Sequence, residues 1–188
     1  MKKFLFVFIA IVIGLGVGVY RIANIEGSKS FFTNGSWTGS QSLPLGKDNL
    51  LTAQVSTFAL FALPSEEAIY LFARRDEQHE KLTGENDYVI AGNVNQIKAY
   101  YWSITAYGKD LYLIPNEANR FSFNNSNLQA DSAGNFSITV SSKKQSGNWL
   151  PSPEGARFNL VMRIYKGKKD FVEHLNEVPL PSIKRLTK

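Results

Sequence analysis

The chain has 188 residues with 21 basic and 16 acidic side chains, a formal charge of +5 and no cysteine. Without thiols there is no disulfide framework, no zinc–thiolate site and no thiol nucleophile. The charge does not mark a nucleic-acid surface either: Lys2, Lys3 and Arg21 flank one apolar run, and Ile22 to Met162 carries 11 basic against 13 acidic residues, leaving no basic stripe.

After Met-Lys-Lys no charge occurs from Phe4 to Tyr20, enough helix to cross roughly 25 Å of hydrocarbon at about 1.5 Å per residue. Residues 1–21 are therefore read as an uncleaved membrane anchor, with a cleaved signal peptide as the alternative. Gly16-Val17-Gly18 offers only a weak small-x-small cleavage site. Lys2 and Lys3 favour a cytoplasmic N-terminus and place the rest outside the cytoplasm, at the periplasmic face of the inner membrane, although Arg21 weighs the other way. Gly14 and Gly18 have helix-pairing spacing, but glycine is common in such segments.

Residues 22–45, rich in Ser, Gly and Asn, read as a tether with little regular structure, in which Trp37 is expected to dock as an aromatic plug. A domain is expected over 46–188. Asp48 is a plausible N-cap, and Leu51, Val55, Phe58 and Ala62 recur on one face of an amphipathic helix that Pro64 stops. Beyond Pro64 the pattern turns to strands: Ala68–Ala73, Tyr88–Ala91, 98–107, Leu111–Ile114, Arg120–Phe123, Asn135–Ser141 and Phe158–Tyr165. The stretch 98–107 reads as a central strand, with Trp102, Ile104 and Ala106 on a core face and Tyr101, Ser103, Thr105 and Tyr107 on a face of hydroxyls. The expected fold is mainly β: an antiparallel jelly-roll-like β-sandwich with one N-terminal amphipathic helix, preceded by a single transmembrane helix.

Tyr101-Trp102-Ser103-Ile104-Thr105-Ala106-Tyr107, Asn148-Trp149-Leu150-Pro151-Ser152-Pro153 and Arg163-Ile164-Tyr165 resemble the signatures of the bacterial family called domain of unknown function 1214. Glu67-Ala68-Ile69-Tyr70, Asp76, Leu82-Thr83-Gly84, Tyr88 and Arg120-Phe121 fall in that family's order. The resemblance runs from about Trp37 to the end. It departs at His79, where the family usually has Gly, at Gly108, where it has Asp, and around Gly155–Phe158. It implies a jelly-roll-like fold, brings no established reaction, and therefore lends no catalytic residues. Longer members carry a preceding companion domain, domain of unknown function 1254. A face made for that companion implies a separate partner polypeptide, or self-association.

Local chemistry adds little. Asp76 and His79, in a charged loop, are weak metal or acid/base candidates and need a third ligand from elsewhere. His174 reads as a surface residue. No nucleophile elbow, phosphate loop or dinucleotide fingerprint is present, and no cofactor is implied. The signature residues have a scaffold reading, with Trp149 plugging the sandwich and Asn148 satisfying loop backbone. They also have a ligand reading, a cleft lined by Tyr101, Ser103, Arg120, Trp149 and Arg163. Arg163, alternating against Met162 and Ile164, is expected to meet a carboxylate or another anion. Two function classes follow: a non-catalytic envelope module binding a partner protein or glycan-like ligand, and an extracytoplasmic hydrolase or lyase acting on a polar, carbohydrate-like or anionic substrate through Asp76, His79 and the arginines.

Overall fold

The computed structural model describes residues 2–23, 31–41, 49–58 and 63–186. The first element is helix α1, Lys2–Ala23. Within it Lys3–Ile22 is the one segment among the described residues long and apolar enough to cross a bilayer. Every residue whose exposure is described from Lys3 to Arg21 is exposed, which fits a lipid-facing segment. The amphipathic helix is α2, Asn49–Phe58, and its Val55 is buried. Asp48 and Ala62, the cap and last anchor expected for it, lie outside the described residues.

The remainder is mainly β and builds two sheets. Strands β1 (Phe32–Asn34), β2 (Trp37–Gly39), β3 (Ala68–Ala73), β5 (Ala99–Gly108), β6 (Ser122–Asn124) and β9 (Phe158–Gly167) form an antiparallel sheet in the order β1-β2-β3-β9-β5-β6. Strands β4 (Tyr88–Asn93), β7 (Asn135–Ser141), β8 (Trp149–Pro151) and β10 (Ser182–Arg185) form the second, in the order β10-β4-β7-β8. A short helix α3, Lys169–Glu173, follows β9.

Alternation explains how the sheets meet. Phe158, Leu160, Met162 and Ile164 of β9 and Trp102, Ile104 and Ala106 of β5 are all buried on one face. They meet Tyr88 and Ile90 of β4 and Phe136, Ile138 and Val140 of β7 in one shared core. Two ring contacts bridge the sheets: Trp102 stacks on Phe136 at 5.7 Å, and Tyr88 meets Phe158 edge-on at 5.8 Å. Burying each such side chain stabilises the fold by about 1.5–3 kcal/mol.

Several expectations change. Part of the stretch read as a tether is a hairpin: β1 and β2 extend the larger sheet, with Thr38 opposite Phe72. Trp37 is wholly buried and its indole N–H donates to the Pro181 carbonyl at 2.6 Å. The expected strand Leu111–Ile114 is instead a turn. Leu111 takes φ 66°, Gly108 N–H bonds the Tyr112 carbonyl, and only a Tyr107–Leu113 bridge remains. A left-handed residue reverses the chain and ends the pleat. The strand at 98–107 is interior rather than central, because only β6 lies beyond it. One pair departs from antiparallel order: β8 runs parallel to β7, with Thr139 opposite Trp149. Asn148 fixes that return by donating to the Gln129 and Ser137 carbonyls and accepting from Gln129 N–H. Pro151, with no N–H to give, sits on this outer strand of the sheet.

Candidate functional site

The face of the larger sheet turned away from the core is set by the same alternation. Opposite Leu160, Met162 and Ile164 stand Val161, Arg163 and Tyr165, and the register fixes their neighbours. Arg163 lies between Tyr70 of β3 and Ser103 of β5, and Tyr165 between Ala68 and Tyr101. The hydroxyl face expected of β5 thus joins matching residues on two further strands.

The Arg163 guanidinium runs along the strand rather than out from it. It donates to the Tyr107 phenol oxygen at 2.6 Å and to Thr105 Oγ1 at 3.4 Å. Its central carbon lies 5.2 Å from the Tyr107 ring centroid and 5.9 Å from that of Tyr70, within cation–π range. Tyr101 and Tyr165 stand 5.7 Å apart, ring to ring. Burial pushes the Tyr165 phenol above its ordinary pKa; Tyr70 adds to this and Arg163 pulls the other way. Tyr165 is therefore a neutral hydroxyl at physiological pH, able to donate. Among the described residues no carboxylate forms an ion pair with Arg163. Beside it opens a cleft of about 510 Å³ lined by Glu67, Tyr101, Ser103, Arg163, Tyr165 and Lys166.

Asp76 and His79 lie elsewhere. They border a cleft of about 360 Å³ between the β1–β2 hairpin and the loop after β3, together with Phe31, Thr38, Phe72 and Arg75. The Asp76 carboxylate is buried and occupied: it accepts the N–H groups of Gln78 and Glu80 and pairs with Arg185 at 3.2 Å. His79 is exposed, has φ 62°, and its carbonyl accepts from Arg75. A left-handed backbone of this kind is one that glycine adopts without strain. No group of three or more His, Cys, Asp or Glu side chains fit to hold a metal occurs among the described residues.

Arg120 and Trp149 form a third place. Arg120 is exposed, lies over the Phe123 ring at 5.4 Å and donates to the Trp149 carbonyl at 3.3 Å. Trp149 is buried and its N–H donates to the Ser141 carbonyl at 2.9 Å. The five residues grouped from the sequence as one cleft thus divide. Tyr101, Ser103 and Arg163 come together, while Arg120 and Trp149 serve the β6–β8 side of the sandwich. Tyr70, Thr105, Tyr107 and Tyr165 complete the Arg163 cluster. Thr105 and Tyr107 belong to the hydroxyl face read from alternation, whereas Tyr70 is placed by strand register alone.

Fold and site together define a two-sheet β domain behind an apolar N-terminal helix, with one guanidinium set among tyrosines on an outer sheet face. The chain belongs to the family described as "Protein of unknown function (DUF1214)", which matches residues 67–169, a span that includes every candidate residue above. Among solved structures it is similar to the VPA0106 protein from Vibrio parahaemolyticus, at 30% identity and TM-score 0.59, over 73% of this chain and 35% of that one. It also matches an uncharacterised protein from Burkholderia cenocepacia at 17% identity and TM-score 0.45, over 90% of this chain and 40% of that one. The chain thus spans well under half the length of either. No curated protein matches it.

Proposed function

We propose that the chain is a membrane-anchored envelope module that binds a polar, glycan-like ligand on the arginine-and-tyrosine face of its larger sheet, without catalysing a reaction. The observation that carries this reading is Arg163: a guanidinium held by Tyr107 and Thr105 and given no carboxylate partner among the described residues. A fixed cation bordered by hydroxyls and aromatic rings recognises ligands by hydrogen bonds and ring contact. The alternative, a hydrolase or lyase working through Asp76 and His79 together with the arginines, is less well supported, because Asp76 and His79 border a different cleft from Arg163. Lys2 and Lys3 support an orientation that puts the domain outside the cytoplasm.

A second reading has its own support. The solved protein that is 30% identical extends well beyond the part this chain matches, which favours a separate polypeptide, or a second copy of this chain, as the occupant of this face.

The test is to titrate full-length protein in detergent with a panel of oligosaccharides and follow the Tyr101 and Tyr165 ring resonances. Saturable shifts without any cleavage of the sugar support the binding module. Sugar cleavage that disappears in His79→Ala transfers the chain to the hydrolase class. If no sugar shifts the rings while cross-linking in native membranes captures a defined protein on this face, the partner reading takes over.

A further inference from the structure

We infer that the cleft beside Arg163 takes a carboxylate carried on a sugar, a uronate-type residue, so that the glycan-like ligand is an acidic one. This rests on the reading of that sheet face as a binding surface and narrows its ligand.

Three observations converge. The first is unused donor capacity: a guanidinium carries five N–H donors, and among the described residues those of Arg163 serve only the Tyr107 and Thr105 oxygens. The planar fork fits a planar carboxylate in bidentate fashion. Tyr107, at 2.6 Å, holds the fork in one orientation before any ligand arrives.

The second is charge. Arg163 and Lys166 border the cleft with Glu67 as its one acidic side chain. One excess positive charge suits a monoanion. A phosphate dianion would leave one negative charge uncompensated.

The third is the rest of the lining. The side-chain hydroxyls of Ser103, Tyr101 and Tyr165 make no hydrogen bond among the described residues, although Ser103 is buried. Tyr165 is kept neutral by burial and so donates or accepts as needed. The Tyr101–Tyr165 pair supplies ring area against which the apolar face of a sugar packs. Hydroxyls beside rings suit a polyol, and the guanidinium selects one bearing a carboxylate.

The experiment uses full-length protein in neutral detergent and three probes: trigalacturonate, the same trisaccharide with its carboxyls reduced to alcohols, and a hexaglutamate peptide. Binding is read by calorimetry and by the Tyr101 and Tyr165 ring resonances. Trigalacturonate is expected to bind at least about tenfold more tightly than its reduced counterpart, the equivalent of one charged contact, and to weaken as salt screens it. Arg163→Lys, which keeps the charge and loses the fork, should weaken it about tenfold. Tyr107→Phe, which frees the fork, should also weaken it, and by a larger factor than it weakens binding of the reduced sugar. Equal binding of both sugars, unaffected by Arg163→Lys, overturns the carboxylate assignment and leaves the binding-face reading standing. Binding of hexaglutamate alone overturns the sugar assignment. If neither sugar nor peptide moves the two tyrosines in folded protein, the inference and the glycan-binding reading fall together.

Discussion

The carboxylate of Asp76 and the guanidinium of Arg185 lie 3.2 Å apart, joining the loop after β3 to the last strand across 109 residues of sequence. The Asp76 side chain is fully buried and that of Arg185 is 35% exposed. The same carboxylate caps its own loop through the Gln78 and Glu80 N–H groups. Asp76 is thus spent on holding β10 and the loop together, which is why the acid/base role read from its neighbourhood with His79 does not suit it.

Asp76→Ala should destabilise the domain by about 3 kcal/mol, because it strands a partly buried cation and two N–H groups. His79→Gly should have the opposite sign. Relief of a left-handed non-glycine residue is worth about 1 kcal/mol, offset in part by the entropy of the new glycine in the unfolded chain. Thermal melting of the two variants checks both. A drop in stability for His79→Gly would mean that the imidazole makes a contact the domain needs.

Gly84 is constrained by close approach, not by its own φ. A Cβ placed there would land on the Pro153 carbonyl oxygen, and its N–H bonds the Ala156 carbonyl at 2.8 Å. The Leu-Thr-Gly segment and the Asn-Trp-Leu-Pro-Ser-Pro signature are therefore two sides of one contact. Gly84→Ala should cost about 3 kcal/mol, since backbone has to shift to make room, and denaturant unfolding will measure it. A melting curve matching the parent would show that the loop after Pro153 yields freely.

Trp102→Ala and Trp149→Ala should each cost about 3–5 kcal/mol. The first removes the ring stacked on Phe136 between the sheets, and the second removes a buried ring and the indole donor to the Ser141 carbonyl, which keeps only the Ser152 N–H. Against a total stability of roughly 5–15 kcal/mol, either should lower the melting temperature sharply. Trp149→Phe, which keeps most of the ring volume, separates packing from the hydrogen bond.

His174 should titrate above the ordinary imidazole range. Its ring Nδ1 lies 2.8 Å from the Asp170 carbonyl oxygen, the main cause, with the carboxylates of Asp170, Glu177 and Glu173 adding to it. A raised folded-state pKa means that the protonated form is favoured by folding. The contribution is fully present below the unfolded pKa and is lost as pH rises through the folded one. An NMR titration of His174 will give the midpoint, and Asp170→Asn should lower it, since the carboxylate is removed while the carbonyl stays.

Full-length protein should stay with membranes through high-salt and carbonate washes, because Lys3–Ile22 is long and apolar enough to span them. A reporter fused after Lys188 should be active only outside the cytoplasm. A soluble species starting near Val19 would instead identify a cleaved signal, and reporter activity inside would reverse the orientation.

What was legible in the sequence depended on length. Asn135–Ser141 and Phe158–Gly167 carry enough alternation to declare their inward faces, and Ala68–Ala73 is bounded by a proline before it and charges after it. Strands of three or four residues, such as Trp37–Gly39, Trp149–Pro151 and Ser182–Arg185, hold too few periods to register as strands. Their stability comes from pairing with β3, β7 and β4, which no local window contains. The site followed the same division. Ser103, Thr105 and Tyr107 on one face were readable from β5 alone. Tyr70 beside Arg163 required the β3–β9 register, and the occupation of Asp76 required a residue 109 positions away.

The β1–β2 hairpin also sets a mooring length. Eight residues, 24–31, separate Ala23 at the end of α1 from Phe32 at the start of β1. Fully extended, such a stretch reaches roughly 30 Å. With α1 in a bilayer, the edge of the larger sheet cannot leave a shell about that deep above the lipid, far shallower than a tether running to residue 45 would allow. The arginine-and-tyrosine face belongs to the same rigid sheet and shares that confinement. For a domain so anchored, a ligand of that face would have to come down to the membrane, because the domain could not go out to meet it.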